Sequence, residues 1–232
     1  MLQAAKRKLS VTPFAKLPIE PGILFRMYPL LNMACGADAA LWCSFLIAFF
    51  AFLRKSNVVP PSQRSFNPLQ HLSRQNIART NYGLLITLSR TKTIQFNQRV
   101  LEIPIAAIPG SILDPVAAYD HMCKLVPASG PLPAFLYPRE GALVSLTHSS
   151  FTHRLRALLA SVGYRPLSYS GHSFRRGGLS FGFKANVPIE LLKAHGDWLS
   201  SAYLRYLTLS HDQQLVVTQS MGHAIVASQS RD

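Results

Sequence analysis

The side chains best suited to chemistry lie in residues 171–206. His172 and Arg175 stand three residues apart, and on a helix two such side chains share one face. Tyr206 closes the stretch and returns a phenolic hydroxyl towards them. A histidine, a fixed cation and a tyrosine gathered in this way are suited to phosphoryl transfer on a large anion. The alternative is a helical hairpin whose basic face is only solvated, and spacing alone does not separate the two.

The distribution of charge favours an anionic partner. The 232 residues carry 24 Lys and Arg against 10 Asp and Glu, a net charge of +14. No carboxylate lies between Asp38 and Glu102 or between Glu140 and Glu190, although these windows hold eight and six basic residues. Surfaces built from them are cationic without internal pairing, which suits a polyphosphate. The alternatives are a generally basic protein and an acidic membrane surface, but no basic amphipathic helix stands out.

Other classes of site are disfavoured. The cysteines Cys35, Cys43 and Cys123 are scattered and the eight histidines form no metal-ligand spacing, so we expect no metal site, no disulfide framework and a reducing compartment. The longest apolar run, at residues 41–53, is too short and too interrupted to span a membrane and predicts a buried helix. The basic triplet at residues 6–8 is a weak indication of nuclear targeting.

Helices come first among the elements that must position these residues. Pro21 is typical of the first turn of a helix and predicts one of about ten residues. Asp38 is a suitable N-cap for an apolar helix at residues 39–53, which would be central and deliver Arg54 at its end. An arginine leaving a buried helix is often only a cap for the last carbonyls.

A small sheet and further helices follow. Three short strands are predicted at residues 72–77, 83–88 and 99–103, with Lys92 in the basic link between the second and third. N-caps at Asp114 and Thr147 predict two helices, and a last amphipathic helix is expected near the C-terminus, at residues 212–226. The fold class is therefore α+β, mostly α-helical, with a small three-stranded antiparallel sheet.

Five residues in order carry a resemblance to a known family. Arg54 follows a predicted apolar helix, and Lys92 lies on a predicted β-hairpin. His172 and Arg175 form a His-x-x-Arg motif, and Tyr206 lies ten residues past a glycine. This set of residues, in this order, resembles the catalytic domain of the tyrosine recombinases (phage-integrase family). The match covers nearly the whole chain, and the sequence around the tyrosine is similar to recombinases of eukaryotic mobile elements. The resemblance implies the DNA breaking-rejoining fold of that domain.

The resemblance also implies a role for each residue. Tyr206 would attack a DNA phosphodiester and form a 3′-phosphotyrosyl link with release of a 5′-hydroxyl. Arg54 and Arg175 would hold the non-bridging oxygens, Lys92 would protonate the leaving oxygen, and His172 would assist proton transfer. The link conserves the bond energy, so no metal or other cofactor is needed.

Departures from the family's pattern concern three positions. Asp197 stands where many members have His or Trp after the glycine, and an ionised carboxylate there would repel phosphate. Trp198, one residue on, is a candidate to replace the indole of some relatives. Asn57, three residues past the first arginine, replaces a frequent glutamate and would change the support of Arg54.

Neighbouring residues have less certain parts. Tyr203 competes with Tyr206 as nucleophile, and if it is not the nucleophile it is a core residue or a phosphate contact. His195 is expected to cap the C-terminus of its own helix. DNA-backbone contacts are expected from residues beside the catalytic ones: Lys55, Arg90 and Arg176.

The expected organisation is a tether at residues 1–16 and a catalytic domain at residues 17–232, without the family's N-terminal DNA-clamping domain. The sequence would then be a fragment, a truncated product or a solo domain. Expected partners are double-stranded DNA and, through the C-terminal helix, a homo-tetramer on DNA, with no membrane. The location would be the nucleus in a eukaryote, otherwise the cytoplasm or nucleoid. Alternatives are a DNA-binding relative without catalysis and a type IB topoisomerase-like nicking-closing enzyme.

Overall fold

The computed structural model describes residues 16–89, 100–198, 203, 204, 215, 218, 219, 221 and 222. Its helices are α1 (Pro21–Met27), α2 (Gly36–Phe50), α3 (Lys55–Val58), α4 (Pro115–Leu125), α5 (His148–Ser161), α6 (His172–Lys184) and α7 (Ile189–His195). Its strands are β1 (Ile77–Arg79), β2 (Gly83–Leu88), β3 (Leu101–Ala106), β4 (Leu136–Arg139) and β5 (Ala142–Ser145). The predicted α+β class with a three-stranded antiparallel sheet is confirmed.

Helix α2 is the centre of the fold. Its residues from 38 to 49 are all buried, because the helix is apolar on every side and is covered by α4, α6 and β4. The predicted cap was wrong: Cys35 is the N-cap and Asp38 lies inside the first turn. There the Asp38 carboxylate accepts from the backbone N–H of Asn32 at 2.9 Å and pairs with Arg154 of α5 at 2.5 Å. The Asp38 carboxylate therefore makes tertiary contacts instead of capping the helix as the local sequence had predicted.

The end of α2 also differs from the prediction. The helix stops at Phe50, not at residue 53, and the chain turns back through Phe52, whose φ is 49°. A phenylalanine in the left-handed region is unfavourable and needs support from its surroundings. Arg54 therefore follows this turn as the N-cap residue of the short helix α3, rather than extending from the end of α2.

The sheet has the order β1-β2-β3, and Leu84 and Ile86 of β2 pair with Ile105 and Ile103 of β3. The first predicted strand was displaced along the sequence, because residues 74–76 form a 3₁₀ turn capped reciprocally by Ser73 and Asn76. The second strand was predicted with its observed bounds, and the third begins later than expected. Residues 90–99, which include Arg90 and Lys92, lie outside the described residues.

Helices α4 and α5 begin where their caps predicted. The Asp114 carboxylate accepts from the N–H groups of Val116 and Ala117, and Thr147 forms a capping box with Ser150. The hairpin β4–β5 was not predicted from the sequence. Its two-residue loop has positive φ at Glu140 and Gly141, which is typical of a tight hairpin turn.

The expected C-terminal helix lies mostly outside the described residues, as do the N-terminal tether and Tyr206. Among the described helices, none combines the length and the apolar character that crossing a membrane would require.

Helix α6 reaches the core through its glycines. A Cβ placed on Gly177 would lie 1.8 Å from the carbonyl oxygen of Ile19, and one on Gly178 would lie 2.2 Å from that of Phe49. Phe174 of α6 is fully buried against Phe45 of α2, with ring centroids 4.8 Å apart. The glycines allow the backbones to touch, and this contact sets the depth at which the next side chains, including Arg175, enter the fold.

We expect Gly177→Ala to destabilise the protein by about 2–3 kcal/mol, because the added methyl meets backbone atoms that can yield only by moving the chain. Gly22→Ala is the matched control, since a Cβ at Gly22 meets nothing within 4 Å. Its free energy of unfolding should stay level or rise by about 0.5 kcal/mol, as expected of alanine in a helix. Urea unfolding of both variants measures the difference, and equal stabilities would contradict this account of α6 packing.

Candidate functional site

A small pocket opens where the end of α2, strand β3 and the end of α7 meet. Its walls bring together residues that are far apart in the sequence: Ala51, Leu53, Arg54, Asn57, Leu101, Ile103, Arg175, His195, Gly196 and Asp197. Arg54 and Arg175, the two arginines singled out in the sequence, therefore line the same pocket.

Arg54 is half-buried, and its guanidinium makes no hydrogen bond or ion pair with the described residues. It does not cap the last carbonyls of α2, which was the alternative reading of the sequence. A guanidinium offers five N–H donors in a planar fork that matches carboxylate and phosphate oxygens. The arrangement leaves these donors available to an anion that enters the pocket.

Arg175 has a different environment. Its side chain is buried, Nη1 donates to the carbonyl oxygen of Phe52, and Nη2 donates to that of Gly196 at 2.6 Å. The guanidinium carbon also lies 3.9 Å from the ring centroid of Trp198. Arg175 thus joins the turn after α2 to the turn after α7 and stacks on an indole, which fixes it on the pocket wall.

The turn after α7 is shaped by Gly196 and Trp198. A Cβ on Gly196 would lie 1.6 Å from the indole ring, so only glycine allows the indole to fold back on the turn. Asp197 has a φ of 54°, a left-handed conformation that Asp tolerates better than most residues. Both Asp197 and Trp198 are buried, with Asp197 on the pocket wall and Trp198 behind Arg175. The carboxylate expected to disfavour phosphate therefore does lie at the pocket.

His195 is the pocket residue whose role the sequence misplaced. It was expected to cap its own helix, but its Nε2–H donates to the carbonyl oxygen of Phe50 at 2.7 Å and so caps α2. Burial lowers the pKa of His195, and the hydrogen bond to Phe50 opposes that shift only in part. The ring is therefore held neutral, with Nε2 carrying the proton and Nδ1 left as an acceptor. No local signal marks this role, because the partner lies 145 residues away.

The other predicted catalytic residues do not line the pocket in the part of the chain that the structure describes. His172 is exposed at the first residue of α6 and does not line the pocket, although α6 carries it one turn from Arg175. Tyr203 packs beside Trp198, with ring centroids 6.3 Å apart. Lys92 and Tyr206 lie outside the described residues.

Of the residues expected to contact DNA, Lys55 is half-buried and its Nζ donates to Thr152 Oγ1 at 3.2 Å. Arg176 points away from Arg175, and its Nη1 donates to the carbonyl oxygen of Lys16. Asn57, buried at the foot of the pocket, holds the next segment through its backbone carbonyl, which accepts from Leu72 N–H at 2.7 Å. Within the described residues, no three His, Cys, Asp or Glu side chains converge as metal ligands would.

Substitution of the two arginines is expected to change the free energy of unfolding by very different amounts. Arg175→Gln removes donors from two carbonyls and a stacked cation, and should lower the free energy of unfolding by about 3 kcal/mol. Arg54→Gln removes a side chain without hydrogen bonds to the described residues and should change stability by less than about 0.5 kcal/mol. Urea unfolding of the two variants gives the comparison. An Arg54→Gln loss as large as that of Arg175→Gln would mean that Arg54 is a structural residue.

A pH dependence of stability follows from the buried histidines. His71, His148 and His195 all have a folded-state pKa below the ordinary 6.5, chiefly because burial disfavours the imidazolium. The unfolded chain therefore binds more protons near pH 6, so stability is complete above about pH 7 and is lost as the pH falls through 6.5 towards the folded-state pKa values.

His195→Gln keeps a donor for the Phe50 carbonyl. It should reduce the free energy of unfolding that is lost at low pH by about 1.4 kcal/mol for each unit by which the folded-state pKa of His195 is lowered. His153→Gln is the control, since His153 is exposed. Unfolding midpoints measured between about pH 8 and pH 5 test this. Equal pH slopes in wild type and His195→Gln would refute it.

Comparison with known proteins gives a structural match without a sequence match. No protein-family model matches the chain, and no curated protein matches it in sequence. A structure of the XerH site-specific recombinase bound to palindromic difH substrate, a post-cleavage complex, is similar over 88% of this chain and 52% of its own, with a TM-score of 0.61 and 11% identity.

Two further structures agree. The Tn1549 transposon integrase in complex with transposon right end DNA matches over 94% of this chain and 70% of its own, with a TM-score of 0.58 and 12% identity. The XerA recombinase structure matches over 92% of this chain and 66% of its own, with a TM-score of 0.55 and 11% identity. The chain thus spans about half the length of the XerH structure. Identities this low bear on the fold alone, and the fold is that of the catalytic domain of tyrosine recombinases, as the sequence predicted.

Proposed function

We propose that the chain cleaves and rejoins DNA through a 3′-phosphotyrosyl intermediate on Tyr206. The observation that carries the proposal is the pocket in which Arg54, without a hydrogen-bond partner among the described residues, lies with the fixed Arg175. Two guanidiniums from distant parts of the chain line one pocket, and a phosphodiester supplies oxygens that match their N–H donors. The fold, shared with structures named as recombinases and integrases, supports the same reaction class.

The proposed reaction replaces one phosphodiester bond by one phosphotyrosyl bond. The Tyr206 hydroxyl gives up its proton, with His172 assisting, as its oxygen bonds to the phosphorus; the phosphate–5′-oxygen bond breaks, and the leaving oxygen takes a proton from Lys92. Arg54 stabilises the charge that grows on the non-bridging oxygens, and the fixed Arg175 adds positive charge at the pocket wall. His172 assists proton transfer from the first turn of α6. The reverse attack by a 5′-hydroxyl rejoins the strand and releases the tyrosine.

The partner implied is duplex DNA. The net charge of +14 favours binding to a polyanion, and the binding should weaken as salt rises. A homo-tetramer assembled on DNA through the C-terminal helix belongs to the same proposal, as does location in the nucleus if the host is a eukaryote.

One observation favours a second candidate, a DNA-binding protein without catalysis. Asp197 is buried on the pocket wall, and a carboxylate beside the reacting phosphate raises the electrostatic cost of bringing an anion there. Arg175 is also committed to two backbone carbonyls, which limits the donors it can give to a phosphate. Both candidates predict salt-sensitive DNA binding, so only a covalent product separates them.

The experiment uses suicide duplexes with a randomised centre, nicked so that attack releases a short strand and traps the covalent adduct. Wild type should give a protein–DNA band on a denaturing gel. Tyr206→Phe should abolish it and Tyr203→Phe should keep it, because only the residue that supplies the attacking oxygen is essential. Arg54→Gln should lower the adduct yield by about 10²–10³-fold, as expected when a charge-stabilising donor is lost.

The outcomes are distinct. An adduct lost only with Tyr206→Phe establishes both the nucleophile and the reaction class, and an adduct lost only with Tyr203→Phe moves the nucleophile to that residue. Binding to the same duplexes without any adduct supports the non-catalytic candidate. In that case Asp197→Asn is the informative variant, because it removes the charge and leaves the turn intact.

A further inference from the structure

The side chain of Lys55 is held between α5 and the start of α6. A Cβ on Gly171, which immediately precedes α6, would lie 2.4 Å from Lys55 Cβ and 3.1 Å from its Cγ, so the lysine stem runs directly over this glycine. At the other end, Lys55 Nζ donates to Thr152 Oγ1 at 3.2 Å. The ammonium is therefore directed towards α5, while its stem packs against the residue that precedes α6.

Helix α5 presents a polar stripe to this lysine. His148, Thr152 and Arg156 are spaced by four residues and so share one face of the helix. The Thr152 hydroxyl donates to the carbonyl oxygen of His148 at 2.8 Å, which leaves its oxygen to accept from Lys55. Arg156 Nε and His148 Nε2 are buried atoms with no hydrogen-bond partner among the described residues. Unsatisfied polar atoms of this kind are uncommon and call for an explanation.

In the part of the chain that the structure describes, no acidic group balances these cations. The pKa of Lys55 is lowered by burial first and by the neighbouring charge of Arg156 second. The pKa of His148 is lowered by burial and then by Lys55, with an opposing hydrogen bond to the Val59 carbonyl and a further lowering by His71. Neither Lys55 nor Arg156 forms an ion pair with any described residue. Two half-buried cations thus repel each other at a place where an anion would stabilise both.

We infer that Lys55 and Arg156, with the Thr152 hydroxyl orienting Lys55, form a second phosphate subsite that takes the DNA backbone phosphate next to the one held at Arg54. Its position follows from the chain itself: Lys55 follows Arg54, and Gly171 against its stem precedes His172. The sequence suggested a DNA contact for Lys55 alone, and the structure adds Arg156 from another element. The identity of the anion as DNA rests on the proposed function.

The test measures how duplex affinity depends on salt, by fluorescence anisotropy of a labelled duplex, in a Tyr206→Phe background that forms no adduct. Lys55→Met keeps the stem over Gly171 and removes the charge repulsion, so the variant should fold. Lys55→Met and Arg156→Met should each lower the slope of log affinity against log salt by up to about 1, the effect of losing one phosphate contact. The double variant should lose no more than about 1, because both cations serve one phosphate.

Lys124→Met is the matched control, an exposed lysine at the end of α4 that carries the same charge change. It should leave the slope unchanged. Equal slopes for Lys55→Met and Lys124→Met would overturn the subsite, and so would a double-variant loss near 2. A rise in Tm with inorganic pyrophosphate that Lys55→Met abolishes, while the duplex slope stays unchanged, would assign the subsite to a free polyphosphate and overturn the DNA assignment. Because no cleavage is measured, the result is independent of whether the adduct experiment succeeds.

Discussion

The buried guanidinium of Arg175 is the contact on which the site depends. It joins carbonyls of two turns, at Phe52 and Gly196, and stacks on Trp198. Each of those turns contains a left-handed non-glycine residue, Phe52 in one and Asp197 in the other. Such conformations persist only where the surroundings hold them, and a charged, planar donor with two carbonyl partners does this better than packing alone. The glycine contacts of α6 set Arg175 at the depth from which it reaches both turns.

The two arginines of the pocket divide two tasks. Arg175 gives hydrogen bonds to the protein, and the free energy of those bonds is already part of the folded state. Arg54 is half-buried without a partner among the described residues, so its interaction energy remains available for a ligand. A guanidinium without such a partner, beside a fixed one, has N–H donors whose geometry matches the oxygens of an anion. The same residue type is thus committed to the folded chain at one position and has no hydrogen-bond partner among the described residues at the other.

The sequence predicted what local chemistry decides. Asp114 and Thr147 mark helix starts because the cap and its N–H partners lie within three residues. Prediction failed where a distant partner decides. Asp38 is drawn from its capping role by Arg154, 116 residues away. His195 caps α2 instead of its own helix. The proximity of Arg156 to Lys55 had no sequence signal, because it depends on how α5 packs.

Asp197 separates the demands of the backbone from those of the charge. Its left-handed φ and the indole folded over Gly196 require a residue that tolerates this conformation, and Asn meets that requirement as well as Asp. The backbone therefore does not explain why a carboxylate, rather than an amide, stands on the wall of a pocket with two arginines. Its negative charge reduces the positive potential that Arg54 and Arg175 create, and so weakens the pocket's attraction for a phosphate. A change of charge at this position would therefore alter the pocket's attraction for an anion without changing the backbone conformation that the turn requires.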